Sequence, residues 1–213
     1  VLSAAVVAAT VSACGGGGGG GLSIGGDIAG IGGSGGATST GTIDGFGSIF
    51  VNGVRFETSS ADVFIDGSPA TEDDLQLGMV VSVRGTINDD EATGTAETVI
   101  FDDEIQGPIT AIETNADGDA KIVTVLGITI IVERTGTVFD DVGFANLAVG
   151  DVIEVSGFRE SATRLRATRV EKKSNFIPGQ SEVETQGVIS NLSPTRFNLG
   201  SLVVDYSGAR FED

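Results

Sequence analysis

A series of small all-β modules is the fold class this sequence predicts, and three observations predict it. Val, Ile and Thr recur in short runs that alternate with polar residues, the period of two expected of strands with one buried face. Compact turn signals, Asn52-Gly53 above all, separate those runs. The same order of runs and turns is then repeated along the chain, as in a duplicated module.

Composition narrows the chemistry. The chain has 213 residues and a net charge of −18, so a phosphate backbone would be repelled and nucleic acid is not an expected partner. There is no His, which removes Ser-His-Asp and Cys-His catalysis and the usual zinc sites. The single Cys forms no intrachain disulfide and leaves no thiol for catalysis if it is acylated. An enzyme is not expected.

Residues 1–13 are apolar or small and uncharged, too short to span a bilayer but suited to the apolar part of a signal peptide. They end in Val11-Ser12-Ala13-Cys14, which resembles a bacterial lipobox. That resemblance implies lipidation of Cys14 and attachment to a membrane through the lipid. Gly15 in the next position points to the outer membrane, at its periplasmic or its surface face. Acyl chains bury about 0.8 kcal/mol per CH₂, enough for a stable anchor. Residues 14–40 carry this Cys and a Gly-rich stretch that loses much backbone entropy on ordering, and they read as a flexible tether.

Module 1 is expected over residues 41–104. Gly41-Thr42-Ile43 opens it, and Val51 and Val54 flank the Asn52-Gly53 turn with Ile49 opposite Phe56. Thr71 or Ser68 can cap a short helix, whose acidic residues suit its N-terminal dipole. Leu75 then plugs the barrel end, Gly78 turns the chain, and Val81 and Val83 share one face of the next strand. Module 2, residues 105–173, repeats this order with Gly107-Pro108-Ile109, the Val123–Ile130 hairpin and Asn146-Leu147-Ala148-Val149-Gly150, then Ile153 and Val155. A linker, 174–186, leads to Gly187-Val188-Ile189 and a third copy, 187–213, which lacks its own Leu-x-x-Gly block and reads as truncated. The strand order suits an OB-like five-stranded barrel in each unit, with a small β-sandwich as the alternative.

The stretches Gly45-Phe46-Gly47-Ser48-Ile49-Phe50-Val51-Asn52-Gly53-Val54-Arg55-Phe56 and Asp74-Leu75-Gln76-Leu77-Gly78-Met79-Val80-Val81-Ser82-Val83, preceded by Gly-x-Ile, resemble the bacterial domain of unknown function 5666 family. Module 2 matches more loosely: it lacks Gly-Phe-Gly and carries an insertion near Asn115. The resemblance implies tandem modules in secreted or surface lipoproteins and supplies no activity and no catalytic residues.

Two clusters are candidate ligand sites. Asn115, Asp117 and Asp119 alternate oxygen donors around Gly118, as at the start of a calcium loop, with an ordinary polar turn as the alternative. Arg164, Arg166 and Arg169 lie in the basic stretch that runs from Arg159 to Lys173. They could meet an acidic glycan or lipid head group, or simply pair with neighbouring acids. Asp102-Asp103-Glu104 reads as a solvated junction. The leading expectation is a non-enzymatic cell-envelope lipoprotein whose modules bind a ligand, an envelope protein or a glycan. The alternatives are a structural spacer and a calcium-stabilised module; otherwise no cofactor is expected.

Overall fold

The computed structural model describes residues 37–209; the segment expected to be a signal peptide, Cys14 and the Gly-rich stretch up to residue 36 lie outside the described residues. In the first module β1 (Ala37–Gly45), β2 (Ile49–Val51) and β3 (Val54–Glu57) form a meander. A short hairpin follows, β4 (Asp62–Ile65) and β5 (Ser68–Ala70), then a 3₁₀ turn at Glu72–Asp74. The long strands β6 (Val80–Ile87) and β7 (Thr93–Phe101) complete the module. Strand β1 pairs antiparallel with β6, and β3 pairs parallel with the first half of β7, which closes a five-stranded barrel. The β4–β5 hairpin lies parallel along the second half of β7.

The second module repeats this order with one change. Strands β8 (Ile105–Thr114), β9 (Ala120–Val125) and β10 (Ile128–Glu133) make the meander. Strand β11 (Val138–Asp140) replaces the short hairpin, a 3₁₀ turn occupies Phe144–Asn146, and β12 (Asp151–Ser161) with β13 (Arg164–Asn175) close the barrel through β8 and β10. Beyond it β14 (Glu184–Thr185) pairs with β8, and β15 (Ile189–Ser190), β16 (Arg196–Leu199) and β17 (Leu202–Asp205) form a separate three-stranded sheet.

The local chemistry explains the repeat. Asn52 and Gly53 have φ of 54° and 79°, as a type I′ turn requires, and Leu126 and Gly127 adopt 48° and 80° at the equivalent place. Gly78 and Gly150 both have positive φ, and their N–H groups donate to Ile43 O and Ile109 O at 3.0 and 2.9 Å. Inward residues match in pairs: Ile43 with Ile109, Val51 with Val125, Phe56 with Ile130, Val81 with Ile153, Val83 with Val155, and Val99 with Val170. All are at most 1% exposed. Each such side chain stabilises its barrel by roughly 1.5–3 kcal/mol. Leu75 and Leu147 are buried in the two cores as well.

Three points differ from the sequence reading, while Thr71 is the N-cap of the short turn as expected. The tether does not extend to residue 40: Ala37–Thr40 belong to β1 and pair with Ser82–Gly85. Thr and Ser supply no hydrophobic signal, so the ladder of backbone hydrogen bonds, not periodicity, defines this half-strand. Ser68 caps nothing and lies in β5. Thr71 precedes the 3₁₀ turn, and its backbone N–H and hydroxyl both donate to Asp74 Oδ2, at 2.9 and 2.8 Å. The 174–186 linker is partly paired, through the end of β13 and through β14.

Candidate functional site

The predicted oxygen-donor loop is the β8–β9 turn. Asn115 Oδ1 accepts the backbone N–H groups of Asp119 and Ala120, both at 3.1 Å, and its side-chain amide donates to Asp119 Oδ1 at 2.6 Å. Gly118, with φ of 72°, makes the reversal, and Arg134 caps its carbonyl at 2.7 Å. Asn115 and Asp119 thus satisfy each other in a closed polar turn, with Asp117 exposed at its tip. Among the described residues no group of three acidic side chains is placed to hold a metal ion.

The three arginines are divided by a β-bulge. Along β13, Leu165 and Ala167 point into the barrel; the ladder then skips Thr168, and Val170 becomes the next inward residue. Arg164, Arg166 and Arg169 therefore all face outward. Arg164 and Arg166 share Glu160, and Arg166 also reaches Glu133 at 2.6 Å. Arg169 is only 4% exposed because the first barrel covers it. Its guanidinium donates to Gln76 Oε1 in the first barrel, and to Asp140 Oδ2 at 2.5 Å and Glu171 Oε2 at 3.2 Å in the second. Its neighbours extend the contact. Thr168 Oγ1 donates to Gly78 O at 2.6 Å, and the Val80 N–H donates to Ser156 Oγ at 2.8 Å. Gly78 is needed here for a second reason: a Cβ would lie 2.8 Å from Thr168 O. The Leu-x-x-Gly block of the first module is thus the docking face for the second.

On the connection between the barrels lies a group that the sequence reading placed in solvent. Asp103 is 3% exposed, and neither carboxylate oxygen has a hydrogen-bond partner. Its backbone N–H donates to Asp66 Oδ1 at 3.1 Å, and its carbonyl accepts from Gln186 Nε2 at 2.7 Å. Glu104 beside it donates its N–H to Val155 O and holds Arg159 at 2.5 Å. Burial, reinforced by the charges of Glu184, Asp66, Glu154 and Glu104, pushes the Asp103 carboxyl up to about 8. Burial also raises Glu154, against the pull of Lys173, and raises Asp102 and Glu184 with help from Asp66. A signal for this node was present: Phe101 and Ile105 are both core residues, so the three residues between them have no slack to loop outward.

Two cavities lie among the described residues. An apolar cavity of about 250 Å³ between the second barrel and the third sheet is lined by Leu126, Ile128, Leu199 and Leu202. A shallower one of about 400 Å³ runs along Val152, Lys173, Asn175 and Ile177. A family model described as Domain of unknown function (DUF5666) matches residues 38–100 and again 106–171, one match per barrel and together more than half of the chain. No curated protein and no solved structure matches it.

Proposed function

The chain belongs to the DUF5666 family, in two tandem copies, and from that premise we propose that it is a non-enzymatic lipoprotein of the cell envelope whose OB-like barrels act as a stiff spacer. The observation that carries this reading is the buried contact of Arg169 with Gln76. It sets one barrel against the other through an arginine removed from water, where a pair of independent domains would be joined by a solvated linker. The connection of Asp102, Asp103 and Glu104 adds no flexible length. Attachment through Cys14 would place this unit at a membrane.

The reading is tested by distances. In a Cys14→Ser background, spin labels at Asp89→Cys in the β6–β7 turn and Ala116→Cys in the β8–β9 turn should report one narrow distance distribution at pH 6. A distribution as broad as that of flexibly linked domains would overturn the stiff spacer. The anchor has its own test. Cys14→Ser should abolish metabolic labelling with a fatty acid and release the protein from membranes; persistent labelling would put the lipid elsewhere.

Ligand capture by the modules is the second reading, and the apolar cavity beside Leu126 and Leu199 favours it. A cavity of that size suits a small apolar group at the end of a larger molecule, such as an envelope glycan or peptide.

A further inference from the structure

A carboxylate removed from water and enclosed among other carboxylates either takes up a proton or leaves its enclosure, because an unpaired buried charge is too costly to keep. Asp103 is in that position where the two barrels meet the segment that leads to the third sheet. Asp66 approaches it from the β4–β5 turn, Asp102 and Glu104 flank it on the connection, Glu154 faces it from β12, and Glu184 from β14. The cations of this region are already engaged: Arg159 by Glu104, and Lys173 by Glu154 and Glu171. No three of these acids are arranged to chelate an ion, so a metal is not placed to neutralise the group.

We propose that the joint is locked by a proton on the Asp103 carboxyl group, and that transfer of this proton to solvent releases the connection 102–104 and, with it, the Gln186 contact that leads to the third sheet. The spacer would then be stiff in acid and looser in mild alkali. This deepens the spacer reading and rests on it for its consequence, but the tests are separable, since stiffness at pH 6 examines the spacer alone.

The direction follows from linkage. The closed joint holds the proton up to about pH 8, whereas an opened, hydrated Asp103 returns toward its ordinary value of 3.8. Below about pH 4 both forms are protonated and the joint has its full stability. Between the two values opening becomes up to tenfold easier for each pH unit, and above about pH 8 the loss is complete and the curve flattens.

Carbon-13 NMR of the side-chain carboxyl, assigned by comparison with Asp103→Asn, should show Asp103 titrating with a midpoint near 8 in the intact chain. A midpoint below about 5 would overturn the proposal. Hydrogen exchange of the Asp103 and Glu104 amides gives the mechanical readout. From pH 5 to 8 their exchange in the wild type should outpace that in Asp103→Asn by a growing factor, up to tenfold per pH unit. Parallel profiles would sink the lock. Should Asp103→Asn fail to fold, Asp66→Asn and Glu184→Gln serve instead: each should move the Asp103 midpoint downward, and an unmoved midpoint is the contrary result. Calcium or a chelator should leave exchange unchanged at pH 8. If calcium restored protection there as acid does, a cation rather than a proton would be the lock, and the proposal would fall.

Discussion

Alanine in place of Gly85 or Gly157 is expected to open the barrel that contains it. Both glycines lie at the bulge where the two long strands of their module shift register. A Cβ at Gly85 would stand 2.0 Å from Thr95 O and 2.9 Å from Ala96 Cα; at Gly157 it would stand 2.2 Å from Arg166 O and 3.0 Å from Ala167 Cα. The obstructing atoms are backbone, so no side-chain rotation relieves the clash and the ladder itself must part. The cost is at least about 3 kcal/mol, beyond the usual range for overpacking, against a total stability for a domain of roughly 5–15 kcal/mol. Urea unfolding followed by far-ultraviolet circular dichroism should show a large loss for either variant. The control is Gly67→Ala, at φ of 72° but with open space around it, which should cost only about 1–2 kcal/mol. Equal losses at Gly67 and Gly85 would mean that the close approach at the bulge has no energetic weight. Alanine suits a strand interior better than glycine does, so propensity alone gives the opposite sign.

Arg169→Ala should uncouple the two barrels. The guanidinium is the meeting point of Gln76, Asp140 and Glu171, and its removal takes this donor from Gln76 and Asp140 while Glu171 keeps Lys173. Breaking a buried pair costs about 3–5 kcal/mol; Asp140 is 41% exposed and regains water, so about 2–4 kcal/mol is expected here. Calorimetry should resolve one unfolding transition into two, and the distance distribution between the labels at positions 89 and 116 should broaden. Arg169→Lys should rescue only part of the coupling, because its shorter reach and compact ammonium must replace Nη2, on which the three side-chain contacts converge, and the Nη1 contact with Leu77 O is lost. A double-mutant cycle with Gln76→Ala assigns the share that crosses between modules. A single unchanged transition in Arg169→Ala would show that the barrels are held by something other than this contact.

Much of the fold was legible because its rules are short-range. Asn52-Gly53 announces its turn in two residues, and Val81-Ser82-Val83 announces a half-buried strand in three. The β4–β5 hairpin was equally legible, in Asp66-Gly67 after the apolar run Val63-Phe64-Ile65, and was overlooked because Ser68-Pro69 beside it reads as a helix start. Strand β1 began earlier than expected because the ladder of Thr38-Ser39-Thr40 with Ser82–Arg84 is made by the backbone and carries no hydrophobic signal. The basic stretch was visible, but the bulge at Thr168 and the cover over Arg169 were not, since both depend on strands that come from elsewhere in the chain.

The sequence by itself determined that this protein is all-β, that its unit is duplicated, and where its main hairpins turn. Alternation, positive-φ turns and repetition are properties of adjacent residues or of direct comparison between segments. Only the tertiary structure decided that β3 and β10 close their barrels in parallel on β7 and β13, that Arg169 is a bolt between modules rather than a surface charge, and that Asp103 is buried. Those outcomes depend on partners far apart in the chain, 90 positions in the case of Thr168 and Gly78. Burial of a charged residue is set by what packs over it, and nothing in its immediate neighbours carries that information.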